Sequence, residues 1–72
     1  MYGMNQHIPQ RNYFADIVWP CGGSQWAHVR TNMGRKVAFV MIAKTYAGAT
    51  IKNFRDERTI TPFDREALAQ NQ

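Results

Sequence analysis

Cysteine is nearly absent from this 72-residue chain, and lone Cys21 cannot close an internal disulfide. Together with His7 and His28 it completes the supply of soft metal ligands, too few for a structural zinc site of four Cys or His. No metal and no cofactor is expected. The longest apolar run, Val37 to Ala43, is far shorter than the ~20 residues that span a bilayer, so no membrane segment is expected. Nor does Met1 to Arg11 hold the continuous apolar stretch of an export signal. An unpaired thiol suits a reducing compartment, which makes the cytoplasm the expected location.

Acidic residues are also scarce, five against nine Lys and Arg, for a formal charge of +4. The imbalance is uneven along the chain. Residues 1–55 carry Arg11, Arg30, Arg35, Lys36, Lys44, Lys52 and Arg55 against Asp16 alone, whereas Asp56, Glu57, Asp64 and Glu66 outnumber Arg58 and Arg65 in the remainder. A basic body attracts polyanions, because each neutralised phosphate releases counterions. The same side chains, spread along the chain without a run, also serve simply to solubilise a surface. At this length burial alone seldom yields more than about 3–5 kcal/mol of net stability, so a partner is expected to contribute.

What is present reads as a single small α+β domain over residues 13–70, after a flexible polar arm at 1–12 and before a frayed end at 71–72. Tyr13 to Trp19 alternates with period two, setting Tyr13, Ala15, Ile17 and Trp19 against Phe14, Asp16 and Val18. Pro20 to Ser24, with Gly22 and Gly23, predicts a hairpin turn, and Gln25 to Thr31 alternates again as a second strand. Thr31 and Asn32 can cap a helix from Arg35 to Ala47 that ends at Gly48. Its inward stripe would be Phe39, Ile42, Ala43 and Tyr46, flanked by Ala38 and backed by Lys36, Lys44 and Thr45. The β-branched residues Val37, Val40 and Ile42 leave a buried strand over Lys36 to Ala43 as the alternative. Ala49 to Arg55 reads as a third strand, which Thr59 and Ile60 can extend. Thr61, Pro62 and Asp64 then mark the start of a helix over Pro62 to Gln70. The expected fold is a three-stranded antiparallel sheet with the central helix on one face (β-β-α-β) and a short C-terminal helix.

One helix covers one sheet face. The other is then expected to present Trp26, His28 and Arg30, joined by Trp19 if it falls beside Trp26 across the hairpin. Aromatic and cationic side chains together suit a protein interface, and they also suit stacking on unpaired bases. In the second case Arg30, Arg35, Lys36, Lys44, Lys52 and Arg55 would contact phosphates. Core burial of both tryptophans is the competing structural reading. Catalysis is not expected: Cys21 and His28 lack a third group to orient the imidazole, Gly22-Gly23-Ser24 lacks the lysine of a phosphate loop, and Asp56-Glu57 lies between Arg55 and Arg58.

In element order, Tyr13 to Arg55 (strand, glycine turn, strand, helix ending Tyr46-Ala47-Gly48, strand) resembles the short α+β proteins that bacteriophages and other mobile elements encode. The resemblance implies a small inhibitor or modulator that docks on a host complex handling nucleic acid, such as a polymerase or a CRISPR complex. Many such inhibitors are acidic mimics of nucleic acid, a pattern from which the positive charge departs. A homodimer, favoured by the small core and unpaired sheet edges, is a further expectation.

Overall fold

The computed structural model describes residues 9–70. Five elements follow in the order β1 (Arg11–Val18), β2 (Ser24–Thr31), α1 (Arg35–Thr45), β3 (Thr50–Asp56) and α2 (Pro62–Gln70). The strands form one antiparallel sheet in the order β2-β1-β3, which is the expected α+β architecture. The expected arm is shorter than read, since Arg11 and Asn12 belong to β1. The rest of that arm, residues 1–8, and the frayed end at 71–72 lie outside the described residues.

Central position in the sheet explains the burial of β1, where Tyr13, Phe14, Ala15 and Ile17 are all shielded. A three-residue hairpin loop sets its register with β2. The Trp19 N–H donates to the Gly23 carbonyl at 2.8 Å and the Gly22 N–H to the Trp19 carbonyl at 2.9 Å. Gly22 takes the left-handed φ of 101° that such loops require after their turn. Ala15 therefore faces Ala27, Asp16 faces Trp26, and Phe14 faces His28. Against β3 the register slips between Phe14 and Asp16, and Asn53 occupies the bulge at φ 54°.

Residues 36–43 are helical. Ala38 and Ile42, one turn apart, are the α1 residues buried against the sheet, where Ile42 joins Ala15, Ile17 and Ala27 in the core. Three details of the expected helix are corrected. Its N-cap is Gly34, at φ 100° and ψ 173°, a conformation open essentially to glycine, with no side-chain cap. Thr31 instead accepts from the Met33 N–H at 3.1 Å, so Thr31 and Asn32 build the preceding turn. Of the expected inward stripe, Ile42 is buried and Tyr46 packs on the core, with the flanking Ala38 buried beside them, whereas Phe39 turns outward and is 42 % exposed. The helix stops at Thr45. Gly48, at φ 94°, serves the tight turn closed by Ala49 N–H and the Tyr46 carbonyl at 3.1 Å.

β3 ends at Asp56, so Thr59 and Ile60 do not extend it. The Asp56 carboxylate accepts from the Arg58 N–H at 2.9 Å and its carbonyl from the Thr59 N–H at 3.0 Å, turning the chain towards α2. α2 starts as expected, through a reciprocal pair. The Thr61 hydroxyl accepts from the Asp64 N–H at 3.2 Å, and the Asp64 carboxylate accepts from the Thr61 N–H at 3.1 Å. Among the described residues no helix is long and apolar enough to cross a membrane.

Candidate protein-binding surface

Alternation along β1 and β2 places Trp26 and His28 on the sheet face away from α1, next to Phe14. That face is partly covered, leaving Trp26 and His28 half-buried. α2 lies against it through Asp64, which has no exposed surface. Its carboxylate accepts from the Trp26 indole at 2.8 Å, from Arg55 Nε at 2.7 Å and from Arg55 Nη2 at 2.6 Å. With the Thr61 amide these donors occupy both oxygens, and the Arg55 guanidinium holds the Asp64 carboxyl well below the usual carboxylate range despite its burial. Phe63 lies edge-on to the Trp26 ring at 6.4 Å while remaining 62 % exposed itself.

The expected recognition surface is therefore dispersed. Trp19 lies on the opposite face, where it packs on the core and meets Tyr46 edge-on at 6.5 Å. Trp26 is fixed beneath α2. His28 forms a triangle of rings with Phe14 and Trp26, with centroids 5.2 Å and 5.7 Å from its own and 5.6 Å from each other. Its Nε2 lies 2.7 Å from the Asn12 amide oxygen, and the Asn12 amide nitrogen donates to Glu57 at 3.1 Å. That orientation of Asn12 requires the His28 proton on Nε2. Burial, with help from Arg30, lowers the His28 pKa and keeps the ring neutral. Of the four residues, Arg30 alone stays exposed.

The basic residues do not form one track either. Arg55 is engaged by Asp64, and Lys52 faces Asp16 on the α2 side of the sheet. Arg35, Lys36 and Lys44 belong to α1, which packs on the other side. Cys21 is exposed in the hairpin loop, and among the described residues no three His, Cys, Asp or Glu side chains gather as metal ligands would.

A different site emerges between α1 and β3. Phe39, Val40 and Met41 are consecutive on a helix, so they spread over about 200° and cannot all reach the sheet. They are 42, 47 and 38 % exposed. Phe39 meets Phe54 of β3 edge-on at 5.4 Å, and the Arg35 guanidinium lies 4.9 Å above the Phe54 ring. With Lys36 and Val40 these residues line an open groove of about 460 Å³, apolar along its floor and basic at its rim. The run Phe39-Val40-Met41 was the available signal in the sequence, and the inward stripe assigned to Phe39 concealed it.

The acid response of the covered face follows from two groups. Folded His28 binds its proton more weakly than in the unfolded chain, and folded Asp64 does the same. Stability is thus full above the ordinary histidine pKa of about 6.5 and falls in two stages, the first below that value and the second below about 4. Urea midpoints measured by circular dichroism between neutral and acid pH are expected to show both steps, and Asp64→Asn is expected to shrink the second to the part contributed by Asp56, whose carboxyl Arg58 also holds below the usual carboxylate range.

Neither a protein-family profile, nor a curated protein, nor a solved structure matches this chain.

Proposed function

We propose that this chain is a small non-enzymatic binding protein, of the type encoded by phages and other mobile elements, that docks in the cytoplasm on a protein complex handling nucleic acid and modulates it. The observation that carries the reading is the groove formed by Phe39, Val40 and Phe54 under a rim of Arg35 and Lys36. Exposed aromatic and aliphatic side chains lose unfavourable hydration when a partner covers them, and a few such residues dominate binding energy at protein interfaces. Basic residues at the rim favour a partner whose apolar knob is flanked by Asp or Glu, and they speed encounter more than they add affinity. Contact with a partner through the groove leaves the Trp26 and His28 face, partly covered by α2, as a structural support.

Direct nucleic-acid binding is the second reading. It draws on the net charge of +4, while the division of Lys52 and the α1 cations between two sides gives it no continuous path. Affinity capture from a host lysate, with and without nuclease, separates the two. The groove reading expects one protein set to survive nuclease and to be lost with Phe39→Glu. Capture that disappears with nuclease, or that is indifferent to Phe39→Glu, contradicts it.

A further inference from the structure

Among the described residues, the outer edge of β2 leaves strong bonding groups unused. Trp19 and Gly23 form a hydrogen-bonded pair at the loop. Hydrogen-bonded and open pairs alternate along an antiparallel ladder, so Gln25, Ala27, Val29 and Thr31 bond to β1. Ser24, Trp26, His28 and Arg30 consequently aim their N–H and C=O groups outward. Among the described residues no hydrogen bond reaches those groups.

Natural edges are commonly blunted by proline, bulges or clustered charge. The opposite edge has such devices, with Lys52 and the Asn53 bulge, where the Asn53 carbonyl is further taken by Arg55 Nη1 at 2.7 Å. β2 has none of them. It runs eight residues without proline or bulge, in one unbroken register, and Arg30 is its single charged residue.

We propose that β2 pairs with β2 of a second copy of this chain, antiparallel about a two-fold axis at Ala27, to make a continuous six-stranded sheet. The occupant follows from self-complementarity. An axis perpendicular to the sheet keeps each residue on its own face, so only outward-bonding residues meet outward-bonding residues. Centred at Ala27, Ser24 pairs with Arg30 of the second copy and Trp26 with His28, and all four outward residues of each copy are satisfied. Ala27 meets Ala27 at the closely spaced open pair, where a methyl group is easily accommodated. The Phe14, Trp26 and His28 rings then continue across the junction as one aromatic row, a favourable cross-strand arrangement. This pairing is independent of the α1 groove.

Light scattering on the eluting chain, from low to high micromolar concentration, tests it. The expected mass doubles from 8.3 kDa as concentration rises. Arg30→Pro deletes one outward amide per copy without touching the β1 ladder, and it is expected to weaken the dimer about tenfold, the loss of two hydrogen bonds. Phe39→Glu, in the groove, is expected to leave the mass unchanged. Should Arg30→Pro not fold, amide exchange on the unmodified chain gives the same answer: Trp26 and His28 amides become protected as concentration rises. A mass of 8.3 kDa throughout, exchange independent of concentration, or a dimer broken by Phe39→Glu but not by Arg30→Pro would overturn the proposal. A persistent monomer would leave the edge to a strand of another protein.

Discussion

Asp64→Ala is expected to release α2 from the sheet and to lower stability by about 3–5 kcal/mol, the cost of removing one member of a buried ion pair. The estimate applies because Asp64 has no exposed surface and the Arg55 side chain is only 14 % exposed, so little solvent screens the pair. The loss has three parts. Arg55 keeps its charge without its main counter-ion, since Asp16 lies 3.5 Å away and is 42 % exposed. The Trp26 indole loses its acceptor, and the Thr61 amide loses its half of the cap. For a chain whose whole stability is of that same order, the variant stands at the threshold of unfolding. In a Trp19→Phe background, Trp26 is the sole tryptophan, and its emission is expected to shift to the red as α2 leaves. An unchanged spectrum and urea midpoint would show that α2 does not depend on Asp64.

Phe14→Ala is expected to cost about 3–5 kcal/mol, the range for emptying a buried aromatic site. Phe14 is fully buried on the central strand, and its ring touches those of Trp26 and His28 on one neighbour. Both neighbours are fixed elsewhere, Trp26 by Asp64 and His28 by Asn12, so the cavity has little freedom to close. Loss of sheet ellipticity at neutral pH without denaturant is the expected result. Phe39→Ala, at 42 % exposure, is expected to change stability by no more than about 1 kcal/mol. Comparable losses at the two sites would contradict the division between a core aromatic and a docking aromatic.

The alternation in Tyr13 to Trp19 was enough to sort both faces of β1, because strand geometry permits only period two. The glycines at 22 and 48 marked real reversals, and Thr61 and Asp64 marked the start of α2. These signals are local. What sequence could not show is that the same Asp64 carboxylate has two further tasks, towards Arg55 nine residues away and Trp26 thirty-eight away. As a capping residue it looked fully employed, and the sheet face above Trp26 therefore looked open. The helix α1 was legible, but the outward turn of Phe39 was not, for a related reason. A short helix over a three-stranded sheet fully buries Ala38 and Ile42 and half-buries Tyr46, and pattern alone cannot tell on which side of that contact Phe39 falls.

Two surface assignments are decisive: α2 covers Trp26 through Asp64, and the groove at Phe39 stays open. Nuclear magnetic resonance with a soluble paramagnetic agent reads this directly, since proton signals broaden according to their access to the agent. The side-chain protons of Phe39 and Val40 are expected to broaden strongly, while those of Phe14 and the Trp26 indole N–H persist. If the Trp26 indole broadens as much as Phe39, the covered face is open, and the proposed recognition surface returns to the sheet.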